Sequence, residues 1–417
     1  MAPPATRTAA LALAAALLIG SSATAQDWTR FRGPGGQGHG EGTAIPSSFD
    51  AKAYRWRVEL AGPGHSSPVV WGERLFLTTA DPEAGKRWIV CHGTGDGAEL
   101  WRTEVTFEAH GQHRLNSFAS STPAVDADGV YLAWTTGESL EALALDHAGK
   151  RLWRRELGAF RARHGSGSSP LVVGGVVVIG NDNEGPESFL TGLDAATGEE
   201  VWRRERESVR ASYATPALHR PEDGPAQVLF ASTAHDITSL DPLTGALNWE
   251  VDGLFTERCV ASPVVVGGLV FATAGTGGGG KESVALELAP GEEGGERAVR
   301  YRLRRALPYV PTPVAAGGRL FLLSDGGVLS CVSGATGEEL WRERVGTHFF
   351  GSPICVDDRL FAVATDGELV VVAAADEFQV LGRVDLGEPS QATPAVADGV
   401  LYLRTERHLI AVGGEDA

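Results

Sequence analysis

The chain has 417 residues, 43% of them hydrophobic, and a formal net charge of −17. That length can hold a large core or two to three ordinary domains. The acidic balance argues against a nucleic-acid partner and against adhesion to anionic lipid, because both need basic surface.

The N-terminus reads as an export signal. Arg7 supplies positive charge, residues 9–20 (AALALAAALLIG) form an apolar run, and Ala23-Thr24-Ala25 makes a small-residue cleavage site. Cleavage is expected before Gln26. The apolar run is too short for a comfortable membrane span, and no cysteine near the cleavage site offers a lipid anchor. The expectation is an exported, periplasmic chain without a membrane anchor, acting as a monomer.

Residues 26–53 form an N-terminal extension. Its Phe31–Gly42 stretch (FRGPGGQGHGEG) is glycine-rich, but neither it nor Gly275–Ser283 carries the phosphate-loop pattern G-x-x-x-x-G-K-[ST]. Phe31–Gly42 is expected to be a loop lying across the barrel ahead of the first strand.

From residue 54 the chain repeats itself. Ser or Thr followed by Pro recurs at Pro68, Pro123, Pro170, Pro216, Pro263, Pro313, Pro353 and Pro394, at separations of 40 to 55 residues. Each anchor leads into two apolar runs around a turn, as in SSPLVVGGVVVIG (residues 168–180), which is a hairpin signal. A second hairpin follows: LDAATGEEVW at Leu193–Trp202 matches LDPLTGALNW at Leu240–Trp249 and VSGATGEELW at Val332–Trp341. Asp or Ser opens its turn, Gly takes the positive-φ position, and Trp falls on the next strand to pack between sheets. Two hairpins make a four-stranded unit, and a radial array of such units is a β-propeller. The proline opens the innermost strand, an edge where a missing N–H is tolerated.

The last unit has only three strand candidates after Pro394. Tyr54–Leu60 (YRWRVEL) supplies the fourth, so Trp56 closes the ring. The fold expected is all-β: an eight-bladed propeller over 54–413, with Tyr301 and Leu381 replacing Trp in blades five and seven.

These motifs resemble the pyrroloquinoline quinone (PQQ) repeat, over about residues 50–412. The opening Asp27–Gly42 is similar to the start of exported bacterial PQQ-like propellers. The resemblance implies one of two roles: a quinone-dependent dehydrogenase, or a non-catalytic propeller like the outer-membrane β-barrel assembly lipoprotein. Dehydrogenases of this fold typically carry an adjacent cysteine pair, calcium ligands and an aspartate base. This chain has no adjacent cysteines, and no aspartate can be matched to the base.

In a propeller, the inter-blade loops share a face with the loops between second and third strands, and ligands sit there at the channel mouth. The inter-blade loops place His65, His113, Arg114, Asn116, His164, Tyr213, Arg258, Tyr309, His348, Phe349 and Gln391 at that face as ligand-binding candidates. Seven of the eleven histidines fall in or near such loops (His65, His110, His113, His164, His219, His235, His348), although loop histidines are more often solvated than ligating. Asn181, Asp182 and Glu184 are a weak calcium candidate, in a run that also suits a turn. Cys91, Cys259, Cys331 and Cys355 lie in or beside strands and read as buried thiols, with spacings unsuited to zinc.

The reading is a binding or scaffold protein for a protein or peptide at the channel mouth, with no catalytic residues and no cofactor required. The alternative is a PQQ- and calcium-dependent dehydrogenase of alcohols or sugars. A third reading is a hydrolase or lyase that uses an acidic mouth.

Overall fold

A computed structural model describes residues 27–42, 44–185, 187–290 and 296–414. The expected export signal, residues 1–25, lies outside these residues. Among them, no helix is long and apolar enough to cross a membrane.

Eight antiparallel sheets follow one another in chain order. Blade three shows the plan: strands Leu171–Val173, Val176–Asn181, Ser188–Asp194 and Glu200–Arg206, paired in sequence. The two middle strands are buried on both faces, because each blade is covered by a neighbour on either side. Blade eight consists of Ala395–Ala397, Val400–Arg404 and His408–Gly413, and Tyr54–Glu59 pairs with the last of these. The ring is therefore closed by the two ends of the propeller segment, with Trp56 opposite Ala411.

The tryptophans do more than fill space. Trp56, Trp101, Trp153 and Trp202 each donate their indole N–H to a turn carbonyl of the next blade: Thr94, His147, Ala195 and Pro242 respectively, at 2.9–3.0 Å. Trp341 does the same to Ala375 at 3.0 Å. Tyr301 replaces the indole with its hydroxyl, which reaches Gly334 O at 2.9 Å. Trp249 breaks the pattern and turns to Gln227 Oε1 at 3.3 Å.

The N-terminal extension is a strap inside the ring. It bonds the inner edges of the blades at the second residue after the proline: Trp28 O accepts from Val70, Thr29 O from Val125, Gln37 Oε1 from Val265, and Gly38 O from Cys355, at 2.8–2.9 Å. His39–Gly40 adds a fifth, parallel strand to blade seven. The inner strand of that blade is thus no longer an edge, and residues 27–42 belong to the propeller's interior as well as preceding it. The strap also carries Arg30 and Arg32, fully buried, whose ionisation burial lowers to about 9. All four cysteines are buried free thiols. Burial raises the Cys91, Cys331 and Cys355 thiols to about 12, so they stay protonated at neutral pH.

Candidate functional site

Each inter-blade loop ends on the Ser or Thr before the proline, and the eight hydroxyl residues meet at one end of the channel. They line a single cavity of about 620 Å³. Six bonds tie the blades there into two runs of four. Each Ser or Thr hydroxyl accepts the amide of its counterpart one blade earlier, as in Ser67 N to Thr122 Oγ1, Thr122 N to Ser169 Oγ and Ser169 N to Thr215 Oγ1, at 2.9–3.1 Å. The links Ser262–Thr312, Thr312–Ser352 and Ser352–Thr393 repeat this at 2.8–3.0 Å. Phe31 of the strap also lines the cavity.

The wall is built from the loops. His65, His113, Asn116, His164, Tyr213, Arg258, Tyr309 and Gln391 all line the cavity, as the sequence reading expects. Asn116 is fixed by two bonds from Nδ2, to His164 O at 2.7 Å and Ser166 O at 2.9 Å. That contact brings the His113 and His164 rings to 5.3 Å, and Tyr213 meets His164 edge-on at 6.3 Å. Asp325 accepts the Tyr309 amide at 2.8 Å and so anchors the loop that presents its ring.

Three of the expected residues are elsewhere. Phe349 is fully buried against Val345 and Ala364, and its neighbour Phe350 lines the cavity instead. His348 is exposed and is not among the residues lining the cavity. Arg114 lines a neighbouring depression of about 350 Å³ beside Gln391 and His65. Phe31, Arg163 and the hydroxyl ring line the cavity without a site signal of their own in the sequence. The Ser/Thr-Pro pattern that carries the ring marks the blades and does not by itself point to a cavity.

The charge of the cavity wall differs from the acidic mouth of the third reading. Among the described residues no Asp or Glu lines the cavity, although the chain carries a net charge of −17. Arg163 and Arg258 line it, and Arg30 bonds Pro216 O directly beside the lining residue Thr215. Arg404 bonds Ser66 O at 2.9 Å, next to His65. The residues lining the cavity are thus basic or neutral, with Glu184 standing behind Arg258 as its ion-pair partner.

Several polar atoms of this wall are buried with no partner: His164 Nδ1, Tyr213 OH, Arg258 Nε, Ser67 Oγ and Ser262 Oγ. Buried polar groups are normally satisfied, so their convergence on one cavity marks a place prepared for a polar ligand or ordered water. Burial, then the nearby Arg258, lowers the His164 pKa, while burial raises that of Tyr213. The Tyr213 hydroxyl therefore remains a donor. Burial opposes the charge on Arg258, but Glu184 at 2.5 Å more than restores it.

The proposed calcium ligands do not converge. Asp182 is held by Arg206 at 2.8 Å with both side chains buried, and Glu184 is held by Arg258 and by the Arg163 amide. Asn181 Oδ1 accepts from Asn183 Nδ2 at 3.3 Å. Calcium takes six to eight oxygen ligands, carboxylates prominent among them. A cavity wall without carboxylates does not fit a calcium–quinone centre.

Fold and site together define an eight-bladed propeller with a basic, hydroxyl-ringed cavity at the channel mouth. A family model described as outer membrane protein assembly factor BamB (PQQ_2) matches residues 85–301 and 280–378, and the chain belongs to this family of PQQ-repeat propellers. No curated protein matches it significantly. Among solved structures it is similar to BamB from Moraxella catarrhalis, with 17% identity, a TM-score of 0.61, and 86% of this chain and 96% of that one covered. It is also similar to the quinohemoprotein alcohol dehydrogenase ADHIIG from Pseudomonas putida HK5, with 14% identity, a TM-score of 0.66, and 93% and 80% coverage. A third similar structure is the computationally designed Ika8 protein, with 13% identity, a TM-score of 0.61, and 87% and 99% coverage. At these identities the likeness is one of fold.

Proposed function

We propose that this chain is an exported, non-catalytic binding propeller whose mouth takes an acidic segment of a protein or peptide. One observation carries the reading. On a chain of net charge −17, the 620 Å³ cavity has arginine and histidine in its wall, no carboxylate, and partnerless donors from Arg258, Tyr213 and His164. A carboxylate would pair with the guanidinium and phenol, and the Tyr309, Phe350 and Phe31 rings would cover its apolar part. The similarity to a BamB structure supports a protein partner, and the Ala23-Thr24-Ala25 site supports export.

The test is a fluorescence or calorimetric titration with a short Asp/Glu-rich peptide carrying one aromatic residue, beside its Asn/Gln counterpart. The acidic peptide should bind saturably, more weakly in high salt, and at least about 10-fold more weakly to Arg258→Ala. Equal binding of both peptides, or none, rejects the reading. Calcium-dependent binding of PQQ with dye reduction by alcohols or sugars would replace it with the dehydrogenase.

A further inference from the structure

We infer that blade four carries a site for a zinc-type divalent ion, separate from the mouth cavity and made by His235, Glu250 and Asp252. His235 lies in the loop between strands Gln227–Ala231 and Ile237–Leu240. Glu250 is on the outer strand Leu247–Val251, and Asp252 follows it. The register sets Ile237 opposite Val251 and Thr238 opposite Glu250, which brings the loop and the strand end together. His235 Nδ1 is 3.2 Å from Glu250 Oε1 and 3.6 Å from Asp252 Oδ1, and one ligand atom from each residue lies within 4.8 Å of the others.

The two carboxylates are close together with no arginine or lysine in ion-pair contact among the described residues; His235 is the basic group in ion-pair contact with both. Elsewhere on the blades carboxylates pair with arginine, as in Glu141–Arg154, Glu282–Arg302 and Glu368–Arg383. Two like charges that converge on an imidazole are relieved by a cation placed between them.

The set is also held from behind. Glu250 Oε2 accepts from Thr238 Oγ1 at 3.1 Å, which leaves Oε1 directed at His235. Arg206 donates to Thr238 Oγ1 at 2.8 Å and is itself buried against Asp182 and Ser232. The His235 loop is braced by Ser232 N to Asp236 O at 2.8 Å, and the Asp236 carboxylate accepts the Leu254 and Phe255 amides. Outer-sphere support of this kind fixes ligand orientation at metal sites.

One imidazole nitrogen and two carboxylate oxygens suit borderline divalent ions such as Zn²⁺ or Co²⁺, and three protein ligands leave a coordination position for water. Calcium would require more oxygen donors and no imidazole.

The experiment titrates the purified protein with Co²⁺, followed by its visible absorption, and then with Zn²⁺ in competition and by calorimetry. One zinc equivalent should bind. His235→Ala should weaken binding by about 10-fold or more, and so should Asp252→Asn, whose side chain is 66% exposed and does not support the fold. His219→Ala, on the inner strand of the same blade, should bind as the parent does. Melting curves establish that the variants are folded. Absence of a saturable equivalent, or binding undiminished in both folded variants, overturns the site.

Discussion

The Ser67 amide donates to Thr122 Oγ1 at 2.9 Å, joining residues 55 apart in sequence. This bond and five like it give the repeated hydroxyl before proline its physical reason. The proline starts the inner strand, and the residue before it is held extended. Its amide then points at the next blade, where only a hydroxyl of the right length can receive it. The ring is interrupted at Ser67 and Ser262, whose Oγ atoms have no partner.

That asymmetry predicts unequal substitutions. Thr122→Val keeps the shape but leaves the buried Ser67 amide unpaired, and should cost about 1–3 kcal/mol. Ser67→Ala removes a hydroxyl that bonds nothing, and should fall within about 0.5 kcal/mol of the parent. Denaturant unfolding of the two variants side by side checks this. Equal losses would mean the bond has no special weight.

The indole bonds make a second prediction. Tyr301→Phe deletes only the hydroxyl that reaches Gly334 O, and should cost about 1 kcal/mol. Trp153→Ala removes both the Ala195 bond and the buried ring between blades two and three, and should cost about 3–5 kcal/mol. Thermal unfolding should rank the two in that order.

Much of this architecture was legible in the sequence because each blade states its constraints locally. The Ser/Thr-Pro anchor recurs every 40 to 55 residues with a Gly turn and an aromatic residue after most copies, and strand exchange follows from a missing strand at one end and a spare one at the other. The site was less legible. Loop position placed His65, Asn116, His164, Tyr213 and Arg258 at the mouth, but it could not say which of Phe349 and Phe350 turns inward, because adjacent residues in an extended loop face opposite ways. The sign of the mouth's charge was also hidden. Asp182 and Glu184 look available in sequence, yet arginines from distant positions, Arg206 and Arg258, take them up. The strap's route was only outlined, since its partners are backbone amides that any sequence offers.

The strap makes the third prediction. An added Cβ on Gly40 would stand 2.0 Å from Val396 Cγ1, a stiff β-branched side chain on the inner strand of blade eight. Gly40→Ala should therefore prise His39–Gly40 from blade seven at a cost of about 1–3 kcal/mol or more. The released segment should become sensitive to limited proteolysis near Arg30 and Arg32. Unchanged resistance would show that the blades can move aside.

The last prediction concerns pH. Burial, and next the charge of Arg404, hold the His65 pKa down to about 4, against 6.5 for a free imidazole. Between those values the unfolded chain takes up a proton that the folded chain refuses. The unfolded state binds more protons there, so stability is full above about pH 6.5 and is lost as pH falls toward 4. At ~1.4 kcal/mol per tenfold difference in proton affinity, this one residue accounts for roughly 3 kcal/mol across the window. His65→Gln cannot be protonated, and its unfolding free energy should fall less between pH 7 and pH 4.5 than the parent's, by about 2 kcal/mol. If parent and variant lose stability in parallel, His65 takes up its proton in the folded state as readily as in the unfolded one, and the wall at that point is wet.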